Sequence, residues 1–155
     1  MIELEPLCRI DALVGPLTVI GVTPDGERRV VPILGGTVEG EGAYRQRLRG
    51  EVVPGGADWQ FHRTDGVLDL DVHYLLRLSD DALVEVRGNG YRHGPPEVME
   101  RLAKGEPVAA AEYYFRTVMR FRTAAAIHAD LNRMLAVATA SRAPERVRLS
   151  VFRVL

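Results

Sequence analysis

Gly55-Gly56-Ala57-Asp58-Trp59-Gln60-Phe61-His62-Arg63-Thr64-Asp65-Gly66-Val67-Leu68-Asp69-Leu70-Asp71-Val72-His73-Tyr74 alternates on both sides of an Asp-Gly dipeptide, the pattern of a β-hairpin. Read as a two-residue turn with positive φ at both central positions, Asp65-Gly66 sets Thr64 against Val67. His62 then faces Asp69, Gln60 faces Asp71 and Asp58 faces His73, because antiparallel partners step away from the turn one for one. These six polar side chains share one face, and Trp59, Phe61, Leu68, Leu70, Val72 and Tyr74 take the other. The alternation leaves open whether the polar ladder looks into a pocket or into water.

Composition narrows the class. With 155 residues, 46% of them hydrophobic, the chain fits a single domain over 1–155 with its own core. Fifteen glycines and nine prolines punctuate short alternating runs, which favours an all-β domain over a helical bundle. The single cysteine, Cys8, makes no internal bridge, and the first residues lack the basic start and apolar run of a signal peptide, so a cytoplasmic setting is expected. No apolar run approaches the roughly 20 residues of a bilayer span. A net charge of −1 with mixed signs offers phosphate backbones no broad attraction; neither nucleic acid nor membrane is expected as a partner.

Outward from the hairpin, Ile2 to Ala12, Leu17 to Ile20, Arg28 to Leu34 and Thr37 to Gly40 read as strands, with Pro32 marking an edge or bulge and Gly35-Gly36 a sharp bend or close backbone approach. Tyr44 to Val53 reads as a further strand carrying Arg45, Arg47, Arg49 and Glu51 on one face. After the hairpin, a three-residue loop, Ser79-Asp80-Asp81, matches the faces of Leu83 to Tyr91: Val84 opposes Leu76, Val86 opposes Tyr74, Arg87 lies beside His73 and Asn89 beside Asp71. Pro95-Pro96 opens a short helix with Val98 and Leu102 on one face, and Gly105 closes it. Tyr113 to Phe121 alternates, and Arg146 to Val154 alternates cleanly. Between them, Ile127, Leu131, Leu135 and Ala138 fall at helical spacing, so pattern alone predicts one long helix over Thr123 to Ala140.

Gly35-Gly36-Thr37-Val38-Glu39-Gly40, Leu48-Arg49-Gly50, Pro54-Gly55-Gly56-Ala57-Asp58-Trp59, Asp65-Gly66, Leu70-Asp71, Tyr114-Phe115-Arg116-Thr117, Phe121 with Thr123, and Leu131-Asn132 together resemble the domain-of-unknown-function family thirty-two thirty-seven, over nearly the whole chain. The resemblance implies a single antiparallel β-barrel of up-and-down, lipocalin-like type with one or two short helices. It also implies that the segment after Thr123 is a brief helical turn around Leu131-Asn132 followed by a strand. Some members, in fungal polyketide pathways, are described as cyclases that close an oxygen ring on a reactive alkene. This chain carries His73 where the family usually has arginine, Arg122 where it has an acid, and Leu131 where it has tryptophan.

Within that frame Asp58, His73 and Asp71 are the candidate catalytic groups. The Asp58 carboxylate would hold the His73 imidazole and the imidazole would move a proton; the alternative is a structural ion pair on a solvated sheet. Gln60, Arg87 and Arg116 are candidates for binding substrate oxygen, a guanidinium fork being suited to carbonyls and carboxylates, and Trp59, Tyr74 and Tyr114 for shaping an apolar pocket. No His-x-His or Cys-x-x-Cys spacing points to a metal, and neither Gly-Gly pair has the lysine of a phosphate loop, so no cofactor is expected. The reading is a cofactor-free enzyme performing acid–base cyclisation, isomerisation or addition on an apolar, polyketide-like small molecule. Its rivals are a non-catalytic binding protein, since a small barrel can hold a ligand unchanged, and an oligomeric scaffold. Self-association is expected because two apolar sheet faces are hard to bury under one short helix.

Overall fold

The computed structural model describes all 155 residues. Its strands are β1 (Leu4–Val14), β2 (Thr18–Thr23), β3 (Gly26–Gly40), β4 (Arg49–His62), β5 (Leu68–Leu78), β6 (Leu83–His93), β7 (Tyr114–Arg122), β8 (Ala136–Ala143) and β9 (Arg146–Val154), with one α-helix, α1 (Pro96–Ala103). Each of β3 to β9 pairs antiparallel with the next, and β1 pairs with both β9 and β3. Eight strands therefore close an up-and-down barrel, and β2 is a ninth strand hydrogen-bonded to β3 alone.

Closure needs strong bending, and the glycines permit it. β3 leaves its register with β4 between Pro32 and Thr37, and β4 leaves its register with β5 between Val53 and Ala57. At the first bend Gly36 has φ +135 and packs against β1 so tightly that a Cβ would lie 2.0 Å from the Asp11 carbonyl oxygen. Only glycine fits there.

Closure also supplies the core. Leu70, Tyr74, Leu76, Val84, Val86, Phe115, Met119 and Val151 belong to one cluster of 28 buried residues filling the barrel. The apolar sheet face is thus buried against itself, and the argument for self-association from two uncovered faces lapses. β2, outside the closed barrel, leaves Val19, Ile20 and Val22 exposed. No helix is long and apolar enough to cross a membrane.

Three expectations change. Tyr44 to Val53 is not one strand: a 3₁₀ turn occupies Gly42–Tyr44, the chain turns through Leu48, and β4 begins at Arg49. Arg47 instead reaches across to Asp130 in a two-pronged pair, 2.8 and 2.6 Å. The long helix over Thr123 to Ala140 is replaced by 3₁₀ turns at Ala126–Arg133 followed by β8, as the family resemblance implies; Leu131 and Ala138 are buried either way, but the alanines at 136, 138 and 140 face the barrel interior with period two. Finally, the β4–β5 hairpin is shifted by one residue. Arg63 N–H donates to the Val67 carbonyl and Gly66 N–H to that of Arg63, so the loop is Thr64-Asp65-Gly66. Gly66 has φ +85 and Asp65 is not in the left-handed region, the arrangement of a three-residue loop ending in a bulge.

Candidate functional site

A one-residue shift turns every side chain of one strand to the other side of the sheet. His62 pairs with Leu68, Gln60 with Leu70 and Asp58 with Val72, whereas Trp59 pairs with Asp71 and Ala57 with His73. Asp58 and Gln60 consequently share the barrel interior with Leu68, Leu70 and Tyr74, and His62, on the same parity at the end of β4, is exposed at the rim. Asp71 and His73 share the outer surface with Trp59, Phe61 and, from β6, Arg87.

The outer group is a set of solvated pairs. His73 Nε2 lies 2.6 Å from Glu85 Oε2, with both side chains about half exposed (50% and 43%). Arg87 and Asn89 donate to Asp71 at 3.4 and 3.3 Å. Trp59, 42% exposed, and Phe61 are covered by the Arg28 guanidinium, whose Cζ is 5.3 and 4.1 Å from their ring centroids; Trp59 is outside and Tyr74 inside, so they floor no common pocket. Tyr114 is also exposed, stacked on His93 at 4.8 Å, with the Arg116 Cζ 5.3 Å from its ring centroid. Arg116 borders a shallow outer groove of about 690 Å³ with Arg9, Asp11 and Glu39. The expected Asp58–His73 pair does not form, because the barrel wall stands between them.

The interior group is different in kind. At the barrel end flanked by α1, a cavity of about 790 Å³ is lined by Arg29, Gln60, Arg92, Arg142, Met99 and Leu102, among others. Asp58 lies one rung deeper than Gln60, behind the cavity lining, which Gln60 joins and Asp58 does not. Its Oδ2 accepts from Gln60 Nε2 at 2.8 Å, and its buried Oδ1 has no hydrogen-bond partner. Burial raises the Asp58 pKa above the ordinary carboxylate value, and the opposing pulls of the Gln60 hydrogen bond and of Arg92 and Arg142 do not cancel that rise. Arg29 donates to Gln60 Oε1 at 3.3 Å, so Arg29, Gln60 and Asp58 form one chain of polar contacts. Arg142 is steadied by its backbone N–H, which donates to the Tyr113 hydroxyl at 2.7 Å. Arg92 is only 8% exposed, its Nε has no partner, and its Cζ lies 5.4 Å from the Phe115 ring centroid. Burial, with the neighbouring Arg142 charge, lowers its pKa to about 10. Three guanidiniums thus lie near a single carboxylate, none of them within ion-pair distance of it.

Arg29, Arg92 and Arg142 are absent from the sequence-derived site. The signal for two of them is the continuation of the inward parity: Val84, Val86, Gly88, Gly90 leads to Arg92, and Ala136, Ala138, Ala140 leads to Arg142. A charge at the end of an apolar alternation is an inward-pointing charge.

The profile of the family described as "Protein of unknown function (DUF3237)" matches residues 2–154. The chain belongs to this family. Among DUF3237 relatives, a UPF0311 protein of Rhodopseudomonas palustris is 38% identical over 154 residues, 99% of this chain and 97% of that one. Its crystal structure, described as a conserved protein of unknown function, superposes with a TM-score of 0.92 over 100% of this chain and 98% of that chain. A "beta-barrel like protein" of Acinetobacter baumannii is similar at 36% identity and a TM-score of 0.85, covering 100% and 97% of the two chains. An enzyme from Penicillium herquei shares the fold at 19% identity, with a TM-score of 0.72 and coverage of 99% and 95%. The barrel is thus a family property, and one distant neighbour with this fold is an enzyme.

Proposed function

We propose that this chain is a cofactor-free enzyme that moves protons on a small, oxygen-bearing molecule inserted into the barrel end beneath α1, in a cyclisation, isomerisation or addition of a largely apolar, polyketide-like compound. The observation that carries the reading is the Asp58 carboxyl: buried, with one oxygen held by Gln60, one oxygen without a partner, and a pKa raised by burial. A carboxyl whose pKa is lifted toward the working pH is suited to accept and return a proton. Arg92, almost wholly buried, and Arg142 supply positive charge beside the cavity, and positive charge of this kind stabilises a developing oxyanion. Val31, Leu68, Met99 and Leu102 give the same cavity an apolar wall. Asp71 and His73 take no part in this reading, since they face away from the cavity.

The test is solvent deuterium exchange. Incubated in deuterium oxide with a panel of enolisable phenolic ketones, the protein should incorporate deuterium or form a cyclised product, detected by mass spectrometry. Asp58→Asn should slow this by about 100-fold or more, the usual scale of general acid–base catalysis, while His73→Ala leaves it unchanged. An undiminished rate in Asp58→Asn rejects the assignment. The second reading, a binding protein without chemistry, is favoured by the excess of guanidinium over carboxylate, which retains an anion without transforming it. Ligands bound and returned unaltered by every member of the panel would establish it.

A further inference from the structure

Charge at the mouth of the cavity is locally balanced. Lys104 Nζ lies 3.1 Å from Glu100 Oε1, and Arg63 is paired with Asp65 across the β4–β5 turn. Charge inside is not. Arg29 makes only a long contact to Glu27, 3.9 Å, besides its bond to Gln60; Arg142 makes only a 3.5 Å contact from Nη2 to the Pro144 carbonyl; and Arg92, the most buried of the three, leaves its Nε unpartnered. Against these stands Asp58, already bonded to Gln60. Buried guanidiniums are ordinarily paired, because taking a charge out of water costs several kcal/mol unless an opposite charge compensates. With Glu27 and Asp58 set against Arg29, Arg92 and Arg142, three guanidiniums face two carboxylates, and Arg92 and Arg142 have no ion-pair partner.

We infer that the barrel cavity takes a ligand built as an apolar body carrying one carboxylate, the carboxylate seated against Arg92 and Arg142 and the body against Met99, Leu102, Leu68 and Val31. A single carboxylate fits better than a phosphate ester. Asp58 repels a doubly charged group, the walls around the arginines are apolar, and the planar fork of a guanidinium matches two carboxylate oxygens. This inference rests on the same cavity as the proposed enzyme and specifies its substrate class.

The experiment compares naphthoate with naphthamide, an uncharged analogue of the same shape, by isothermal titration calorimetry on the full chain. Naphthoate should bind about tenfold or more tightly than naphthamide, the ratio expected when one charge-assisted contact is lost. Arg92→Met should abolish that preference, and Arg92→Lys, which keeps the charge but not the fork, should retain part of it. Asp58→Asn should bind naphthoate at least as tightly as the parent. Equal affinity for the acid and the amide, or an unaltered preference in Arg92→Met, overturns the inference. The acid–amide comparison needs no variant, so it stands even where a substitution fails to fold. The two claims also fail separately. Selective naphthoate binding without proton exchange on any compound removes the enzyme and keeps the carboxylate site. Asp58-dependent exchange confined to neutral compounds, with no naphthoate preference, does the reverse.

Discussion

Asp58 and His73 sit on neighbouring strands of one sheet, yet they occupy different solvents. Outside the wall, His73 with Glu85 and Asp71 with Arg87 form ordinary pairs, each side chain 40% exposed or more, where water screens the charge and a pair contributes about 0–1 kcal/mol. Inside, Asp58, Arg29, Arg92 and Arg142 are incompletely satisfied, and Asp58, Arg29, Arg92, Thr117 and Tyr74 retain buried polar atoms without partners. The outer His73 and Asp71 pairs are energetically quiet; the inner face near Asp58 and Arg92 is polarised and unfinished. Strain of this kind persists where a binding partner relieves it or where chemistry uses it, and this is why the interior, not the richer-looking outer ladder, is the candidate site.

The largest test of this inside–outside contrast is steric. Leu70 is 2% exposed and packs in the barrel core, while its neighbour Asp71 points outward. Leu70→Ala should destabilise by about 2–4 kcal/mol in urea unfolding, and Asp71→Ala by less than about 0.5 kcal/mol. Similar losses for both would mean that the wall is not where the register puts it.

Next in size is the buried guanidinium. Arg92→Met keeps the length and removes an unpaired buried charge, so it should raise stability by about 1 kcal/mol or more, seen as a higher melting temperature. Arg87→Met, its outward counterpart on β6, should change stability by less than about 0.5 kcal/mol. A fall for Arg92→Met would show that the guanidinium has a structural partner after all.

Much of this was open to reading from the sequence, and the exceptions have definite causes. The loops Thr64-Asp65-Gly66 and Ser79-Asp80-Asp81 are the same construction. In each, an N–H of the residue before the loop donates to the carbonyl of the residue after it, Arg63 to Val67 and Leu78 to Ala82, and the last loop residue has positive φ, +85 at Gly66 and +66 at Asp81. Face matching identified the second, where a two-residue loop would have set apolar against polar; Val84 and Val86 lie opposite Leu76 and Tyr74, and Arg87 and Asn89 opposite His73 and Asp71. At the first, the Asp-Gly dipeptide suggested the shorter turn and the resulting polar ladder looked self-consistent, so the strand was turned inside out. The same slip left Asp58 a candidate but set it against His73, when its neighbours are Val72 and the inward leucines of β5. Bends were legible from Pro32 and Gly35-Gly36; the one at Gly55-Gly56, where β4 leaves its register with β5, was read as part of a straight hairpin strand. The closure of β1 on β3 was not, since a pairing between distant residues leaves no local mark. Arg142 was hidden because β8 was buried in a helical-looking run of alanines.

A smaller effect concerns pH. Because the folded pKa of Asp58 lies above the unfolded one, the fold binds this proton more tightly. Its contribution therefore favours folding below the unfolded carboxyl range and is lost as pH rises through the folded value. At neutral pH the ionised carboxylate is a cost. Asp58→Asn should accordingly unfold at higher urea than the parent at about pH 7, with the advantage shrinking toward about pH 4. A variant less stable at neutral pH would mean that the arginines need Asp58 more than burial disfavours it.

The smallest expected effect is chemical. Cys8 is 2% exposed and burial pushes its thiol up to about 12, so it should resist thiol reagents in the native protein and react fully once unfolded. Rapid native labelling would place it outside the closed barrel.

The central claim is that Asp58 sits inside the wall, desolvated, with its carboxyl held away from water. Carbon-13 NMR titration of the Asp58 side-chain carboxyl in the free protein tests this without a substrate. The account predicts a midpoint clearly above the ordinary aspartate value of 3.8; a midpoint at or below it would contradict the account and leave the barrel without this acid.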